Sequence, residues 1–416
     1  MPIVAGAAWL IAAARPTVAG RDTRVLDIGL CVCLLIAAAQ LVPLSPRARL
    51  ALSPSLARID RALYLDAAPN DAERPRPLSV DPIATAEAVV AAGAIVVIFW
   101  SARTIFERGS VRTTLRAIAM CGLVLSAIAI VQHATAPGLI YWMWEPVAAG
   151  TKPYGPFVSR NDLAAWLVMA IPLTIGYIVA RFESRRESSR GSSLAGAMDA
   201  TTVWLGAAVC AMAAALLASL SRSGLTAGAA GLMSVVLLSR GRLAGHGRAA
   251  LIAALAVVVM VAAAYTNIGA MMLRLNDALA NGVGGRRDIW SLTRTMIDDF
   301  RLVGVGVGAY ARAMSVYQPP HLFAYNHAHD EYLQVLAEGG VVLSAAAIVV
   351  VIAGAIRAAR VLARDRSPMF WIRAGAVSAL VAIAVQSIWE TGLRMPANAI
   401  LFAICAAVAL HASHRE

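Results

Sequence analysis

The sequence predicts an all-α, polytopic membrane protein, and three observations support that fold class. The 416-residue chain is 59% hydrophobic and only 14% charged, whereas about a quarter of an average soluble chain is charged. Its mean hydropathy is +0.69. Apolar runs recur along the whole chain at about the 20-residue length that crosses a bilayer core. We therefore expect one integral membrane domain over residues 1–416.

The apolar runs predict about eleven spans. The N-terminus lacks the basic region of a signal peptide, so its short apolar run at residues 3–14 is expected to be a first span. The other predicted spans lie near residues 25–45, 84–101, 114–133, 162–180, 202–218, 224–238, 249–268, 334–356, 369–388 and 396–412.

Arginine supplies almost all of the net charge of +12, and it clusters in alternate short loops. Cytoplasmic loops of membrane proteins are enriched in Arg and Lys, so these five loops are predicted to face the cytoplasm. They lie near residues 15–24, 103–116, 181–190, 240–248 and 357–366. The opposite, periplasmic side then receives the long loop 269–333 and every motif of interest. No basic patch interleaved with aromatic residues supports nucleic-acid binding.

The end of the long loop contains the leading catalytic candidate, His329. It stands before an apolar helical pattern, with Asp330 and Glu331 suited to the first turn. Histidine can accept a proton from an attacking hydroxyl near neutral pH. A metal site made by His327, His329 and Glu331 is the alternative. It is disfavoured because no metalloenzyme spacing such as His-Glu-x-x-His is present.

Several arginines stand on the predicted periplasmic side. Arg222 interrupts two apolar runs, where it either snorkels from a helix end or forms an anion site with a helix N-terminus. Arg160 begins a predicted span, as an interfacial residue or a ligand contact. Arg286 and Arg287 precede Trp290, and the Arg-x-x-Trp spacing places Arg287 and Trp290 on one helical face. Guanidinium groups form bidentate hydrogen bonds with phosphate oxygens, so this group of arginines suggests a phosphate-bearing ligand.

Two other motifs are given structural interpretations. Gly304, Gly306 and Gly308 are not followed by Gly-Lys-Ser/Thr, so we expect tight backbone turns rather than a nucleotide site. Asp298 and Asp299 resemble a metal dyad but are expected on a solvated helix face.

The last periplasmic turn contains Glu390 and Arg394, which either pair with each other or line the same cavity. The five cysteines fall in apolar runs without zinc-binding spacing, and buried thiols are expected.

Taken together, the motifs resemble the O-antigen ligase and polymerase superfamily over roughly residues 150–410. The resemblance rests on their order and common side: Gly-x-Phe…Asn-x-Leu-Ala at 155–164, Ser-Arg-Ser-Gly at 221–224, Arg-x-x-Trp at 287–290, Gly-Val-Gly-x-Gly-x-Tyr at 304–310, His-x-x-x-Leu-x-x-Leu at 329–336, and Leu-Arg-Met-Pro-Ala-Asn-Ala at 393–399.

The resemblance implies a GT-C-type membrane glycosyltransferase that needs neither metal nor cofactor. It implies transfer of a glycan from an undecaprenyl diphosphate-linked donor at the periplasmic face of the inner membrane. The acceptor would be lipid A-core or a growing polysaccharide. Arg222 and Arg287 would hold the diphosphate, and His329 would activate the acceptor hydroxyl or stabilise the transition state. The other substrate contacts would be Arg160, Arg286, Trp290, Tyr332 and Arg394.

Two departures from the family and two alternatives remain. The first apolar run is short, and the resemblance implies about twelve spans where the runs give about eleven. Asp330 stands where many relatives carry asparagine, which puts the geometry of the helix start in question. Within the family, ligases, polymerases and protein-glycosylating members are not separated by these residues. From another class, a polysaccharide or small-molecule transporter is the alternative, but it should show internal repeats with broken helices, and none is visible.

Overall fold

The computed structural model describes residues 2–16, 23–63, 74–146, 153–188, 199–243, 245–264, 284–319 and 325–411. In these ranges the regular elements are helices, and the only bridge pairs are isolated. The predicted all-α class is confirmed there. The α-helices are α1 Pro2–Ala14, α2 Arg24–Ala39, α3 Pro46–Leu52, α4 Leu56–Ala62, α5 Pro82–Glu107, α6 Val111–Thr135, α7 Arg160–Ser188, α8 Ala200–Ala218, α9 Arg222–Leu238, α10 Gly245–Ala264, α11 Gly284–Asp299, α12 Tyr310–Tyr317, α13 Glu331–Arg364, α14 Met369–Gln386 and α15 Pro396–Leu410.

Among the described residues, seven helices are long and apolar enough to cross a membrane, namely α5 to α9, α13 and α14. They coincide with seven predicted spans. The predicted spans at 3–14, 25–45 and 396–412 form shorter helices of 13, 16 and 15 residues. The end of the predicted span at 249–268 lies outside the described residues. The number of eleven or twelve spans therefore stays a prediction.

The chain divides into two compact units, and the first contains Met1–Ser101, Asn281–Arg357 and Ser387–Thr391. Its core joins α4, α11 and α12 with the segments that follow them. The largest buried side chains there are Leu56, Ile59, Met296, Phe300, Tyr310 and Met314. The loop predicted at 269–333 thus contains two helices in its described part, and α11 is strongly amphipathic.

Helix α13 is interrupted at Gly340, whose φ of 62° and ψ of −168° are not helical. The segment after α11 crosses the helix at this point. The backbone N–H of Val305 donates to the carbonyl of Ala337 at 3.0 Å. Gly304 has a φ of 69°, and a Cβ there would lie 2.2 Å from the carbonyl oxygen of Glu338. The tight turning predicted for the glycine run is confirmed, and its cause is this close backbone crossing.

The buried side chain of Gln40 fixes the crossing. Its amide nitrogen donates to the carbonyls of Val303 at 2.7 Å and Glu338 at 3.0 Å. Its amide oxygen accepts the backbone N–H of Val307 at 2.9 Å. One side chain therefore satisfies polar backbone groups of both the crossing segment and the helix, as buried polar groups require.

The second unit contains Ala102–Ala280, Ala358–Gln386 and Gly392–Glu416, and α7 is its centre. The apolar window of α7 is 89% buried, the largest share of any candidate span. Its backbone approaches α14 closely. A Cβ on Gly176 would lie 2.3 Å from the carbonyl oxygen of Trp371, and one on Gly375 would lie 2.5 Å from that of Pro172. Small residues at such contacts allow membrane helices to pack closely.

The cysteines differ from the sequence prediction. Only Cys405 is buried, whereas Cys121 is exposed on α6 and the other three are half-buried. The prediction of five buried thiols is wrong because an apolar run also presents residues on the outer face of a membrane helix.

Candidate active site

His329 lies in the first unit immediately before α13, as the sequence predicts. Its φ of 50° places it in the left-handed region, which non-glycine residues rarely adopt. The following residue, Asp330, caps the helix, since its Oδ1 accepts the backbone N–H of Leu333 at 3.0 Å. The imidazole is thus held at a defined point between an extended segment and a helix start.

The residue before it, Ala328, is fully buried and held from two sides. The indole N–H of Trp290 on α11 donates to the Ala328 carbonyl at 3.0 Å. The Ala328 N–H donates to Oε1 of Gln334 at 2.9 Å. These two hydrogen bonds fix the backbone directly before His329. Such surrounding contacts are what allows a strained conformation, here the positive φ of His329, to persist. Trp290 therefore positions the histidine segment through Ala328.

The histidine ring faces a buried carboxylate. Nδ1 of His329 lies 3.5 Å from Oε2 of Glu390, whose side chain is 8% exposed against 44% for the histidine. The other carboxylate oxygen, Oε1, accepts a hydrogen bond from the guanidinium of Arg286 on α11. A half-buried arginine, a buried carboxylate and a more exposed histidine thus lie in contact one after another.

A backbone contact brings the Glu390 segment to the start of α13. The N–H of Glu331 donates to the carbonyl of Ser387 at 2.9 Å, and Ser387 is itself buried. Glu390 follows three residues later. The sequence left its partner open between Arg394 and the cavity, because a contact between distant segments leaves no trace in local spacing.

His327 has a different environment from His329. Its Nδ1 lies 3.4 Å from the amide nitrogen of Gln334, which also donates to Oε1 of Glu338 at 3.1 Å. The ring of His327 thus contacts Gln334, whereas the ring of His329 faces Glu390. No group of three His, Cys, Asp or Glu side chains in the described ranges is arranged to hold a metal ion.

The acidic residues near the site have separate partners. Asp298 pairs with Arg301, and Asp299 accepts hydrogen bonds from Arg58 and, at 2.6 Å, from Tyr317. They form no dyad. Burial raises the pKa of Asp330, although the backbone N–H groups of the first turn and the charge of Arg294 oppose that shift.

The other predicted substrate contacts in the first unit are Arg287 and Tyr332. Both side chains belong to exposed residues, Arg287 in the first turn of α11 and Tyr332 in the first turn of α13. No hydrogen bond or ion pair of Arg287 is recorded with the described residues. Its guanidinium is therefore accessible to a ligand.

The remaining predicted contacts lie in the second unit. Arg222 is the first residue of α9 and is exposed, and Arg160 is the first residue of α7. Ser221 caps α9, since its Oγ accepts the N–H of Gly224 at 3.2 Å, and it donates to Oδ1 of Asn161 at 2.8 Å. Each arginine thus stands at a helix N-terminus. Arg394 ends the short 3₁₀ helix Gly392–Arg394.

Asn398 holds the start of α7 against this 3₁₀ helix. Its side-chain amide donates to the carbonyls of Asp162 at 3.1 Å and Gly392 at 2.9 Å. Asn398 is fully buried, and the sequence offered it only as part of a Pro-Ala-Asn-Ala motif. It is a structural residue that organises the ends of two helices.

The helices and the site define a multi-pass membrane protein with a histidine–carboxylate–arginine cluster beside a helix start. Residues 207–348 match the family model described as O-Antigen ligase. The match confirms, over this part of the chain, the predicted resemblance to the O-antigen ligase and polymerase superfamily. The matched region includes Arg222, Arg287 and His329 and ends before Glu390. A comparison with curated proteins gave no match. The family supports glycan transfer of the O-antigen ligase type in general.

Proposed function

We propose that the protein transfers a glycan from a polyprenyl diphosphate-linked donor to an acceptor hydroxyl, with His329 as the general base. It would act at the periplasmic face of the inner membrane as an O-antigen ligase or a surface-polysaccharide polymerase. One observation carries the proposal: the exposed ring of His329 is backed by the buried carboxylate of Glu390, which is paired with Arg286. A base oriented by a third group is a recurring arrangement in catalysts that activate hydroxyls.

In the proposed step the acceptor oxygen bonds to the anomeric carbon of the donor while the bond from that carbon to the diphosphate oxygen breaks. The proton of the acceptor hydroxyl passes to Nε2 of His329, because Nδ1 faces Glu390. The resulting imidazolium lies beside the Glu390 carboxylate, which stabilises its charge. General-base assistance of this kind contributes about 10²–10⁴ in rate. Polyprenyl diphosphate is the leaving group.

Arginines are proposed to neutralise that leaving group. The accessible guanidinium of Arg287 is a candidate phosphate contact, and Arg222, at its own helix start in the second unit, is another. We propose Arg160, Arg394 and Tyr332 as contacts to the rest of the substrate. A diphosphate neutralised by arginines leaves without a divalent ion, so we propose metal-independent transfer.

The proposal is tested with purified protein, a polyprenyl diphosphate-linked glycan, and lipid A-core or a second lipid-linked glycan as acceptor. Formation of the new glycosidic bond is followed by mass spectrometry. The informative variant is His329→Asn, because asparagine tolerates the left-handed conformation better than alanine. His327→Gln is the matched control two residues away.

We expect His329→Asn to lose transfer by about 10²–10⁴-fold and His327→Gln to retain it. Wild-type protein should remain active in excess EDTA. Loss on chelation with recovery on adding a divalent ion would overturn metal independence. Movement of glycan across proteoliposomes, with no new glycosidic bond formed with any acceptor, would favour the transporter and overturn the transferase.

A further inference from the structure

A cavity of about 190 Å³ lies in the second unit, among the start of α6, the end of α7 and the start of α14. Its polar lining consists of Arg112, Arg181, Arg185, Tyr177 and Ser184. Apolar residues of α7 and α14 complete the wall. The volume is below the 300–1,000 Å³ that is usual for drug-sized ligands. The space therefore suits one compact polar group.

The cavity has more positive than negative charge in its lining. Arg181 and Arg185 both pair with the carboxylate of Asp199, at 2.7 and 2.6 Å. Arg112 is exposed and has no recorded hydrogen bond or ion pair with the described residues. Nε of Arg181 is buried and makes no hydrogen bond within the described ranges. Buried donors are normally hydrogen-bonded, and this N–H is available to donate to a ligand that enters the cavity.

Contacts with Tyr177 hold the side chains of two arginines in place. Nε of Arg116 donates to the hydroxyl of Tyr177 at 2.9 Å. The guanidinium of Arg181 lies over the Tyr177 ring, 5.8 Å from its centroid. Stacking of this kind holds a guanidinium plane in place at little cost in side-chain entropy.

The opposite wall is also fixed. Oδ1 of Asp365 accepts hydrogen bonds from the backbone and side chain of Ser367, at 2.9 and 2.7 Å, and Asp365 is ion-paired with Arg373. Ser367 in turn accepts the N–H of Met369 at 3.2 Å. These contacts hold the turn that places Pro368 and Met369 in the cavity wall, and they do not depend on a ligand.

We propose that this cavity binds the anionic phosphate group of a phosphate ester. The planar guanidinium groups match phosphate oxygens, and the described lining of the cavity contains three arginines and no carboxylate. The three lining helices all meet the cavity at the end of a candidate span, which is the depth of lipid headgroups. The chemistry is shared by an anionic phospholipid headgroup and a soluble phosphate ester. It does not depend on glycan transfer.

The test titrates detergent-purified protein with phosphatidylglycerol in one arm and glycerol phosphate in the other, and measures the shift in melting temperature. Phosphatidylcholine, whose headgroup has no net charge, is the lipid control. Arg112→Gln is the main variant, because Arg112 makes no hydrogen bond or ion pair with the part of the chain that the structure describes. Arg181→Gln is the second variant, although it also loses a partner of Asp199. Arg312→Gln, at an exposed position of α12 in the first unit, is the matched control.

We expect phosphatidylglycerol to stabilise the wild type and Arg312→Gln, with an affinity about tenfold lower in Arg112→Gln, as loss of one charge-assisted contact implies. A shift in the lipid arm alone identifies a headgroup, and a shift in both arms identifies a phosphate-ester site open to soluble ligands. Equal shifts in wild type, Arg112→Gln and Arg181→Gln would overturn the proposal. So would an equal response to phosphatidylcholine, or no shift in either arm.

Discussion

Nδ1 of His329 lies 3.5 Å from Oε2 of Glu390, and Glu390 is the more buried of the two side chains. The carboxylate is committed on its other oxygen to Arg286. Its orientation toward the ring is therefore set by a partner on α11, independently of any substrate. The relationship assigns Glu390 a positioning role for the imidazole, alongside the proposed role of His329 as the base.

Glu390→Gln should preserve the shape of the site and remove its negative charge. The imidazolium formed during transfer then loses a charge-assisted contact of about 1.5–3 kcal/mol, so kcat should fall about 10- to 100-fold. The KM for the donor should change little, because Glu390 is not proposed to touch it. Steady-state kinetics on the purified variant provide the measurement, with Asp298→Asn as an exposed-carboxylate control. An unchanged kcat at normal expression would remove Glu390 from the account.

Arg287→Ala should weaken donor use at least tenfold, since a contact from guanidinium to phosphate contributes about 1.5–3 kcal/mol. Arg287→Lys should recover only part of the loss, because an ammonium group cannot supply the bidentate fork. The kcat/KM for the lipid-linked donor is the quantity to measure, with Arg312→Ala as the control. Full recovery by lysine would indicate a simple charge effect, and full activity of the alanine variant would contradict a phosphate contact.

Gly304→Ala should destabilise the protein without a direct effect on the site. The new Cβ would lie 2.2 Å from the carbonyl oxygen of Glu338, at a φ of 69°. Overpacking costs about 1–3 kcal/mol, and the left-handed backbone adds about 1–2 kcal/mol. The control is Gly206→Ala in α8, where nothing lies within 4 Å of the added Cβ. It should be neutral or slightly stabilising. Melting temperatures in detergent that are equal for both variants would contradict the backbone crossing.

Asp330→Asn should keep the helix cap and change the pH dependence of stability. Burial raises the pKa of Asp330 in the folded protein above its ordinary value of 3.8. A raised carboxyl pKa means that ionisation opposes folding, so wild-type stability falls as pH rises from that value through the folded pKa. Asparagine does not ionise and also caps helices well. The variant should therefore gain melting temperature relative to wild type as pH rises. A wild-type advantage that grows with pH would contradict this assignment.

Much of the fold follows from local sequence. Seven of the predicted spans coincide with the helices from α5 to α9, α13 and α14, because an apolar run of sufficient length has no other stable form in a bilayer. The helix that begins at Glu331, directly after His329 and Asp330, was also predictable, since acidic residues favour a first turn. The orientation of the spans stays a prediction from the arginine loops.

The parts that the sequence could not supply are contacts between distant segments. Glu390 was left between two interpretations, and nothing near it in sequence indicates Arg286 or His329. The hydrogen bond from Trp290 to the Ala328 carbonyl depends in the same way on how helices pack. So do the hydrogen bonds that Gln40 makes at the backbone crossing. The arginine-lined cavity was missed for another reason: its arginines had already been explained as markers of two separate cytoplasmic loops.

The most direct measurement is a double-mutant cycle on His329→Asn and Glu390→Gln, read as kcat for transfer between purified donor and acceptor. If Glu390 acts only through the ring of His329, the double variant should lose no more than His329→Asn alone, about 10²–10⁴-fold. Independent roles would give a loss equal to the product of the two single losses. That product, or near-normal transfer by a folded His329→Asn protein, would contradict the account.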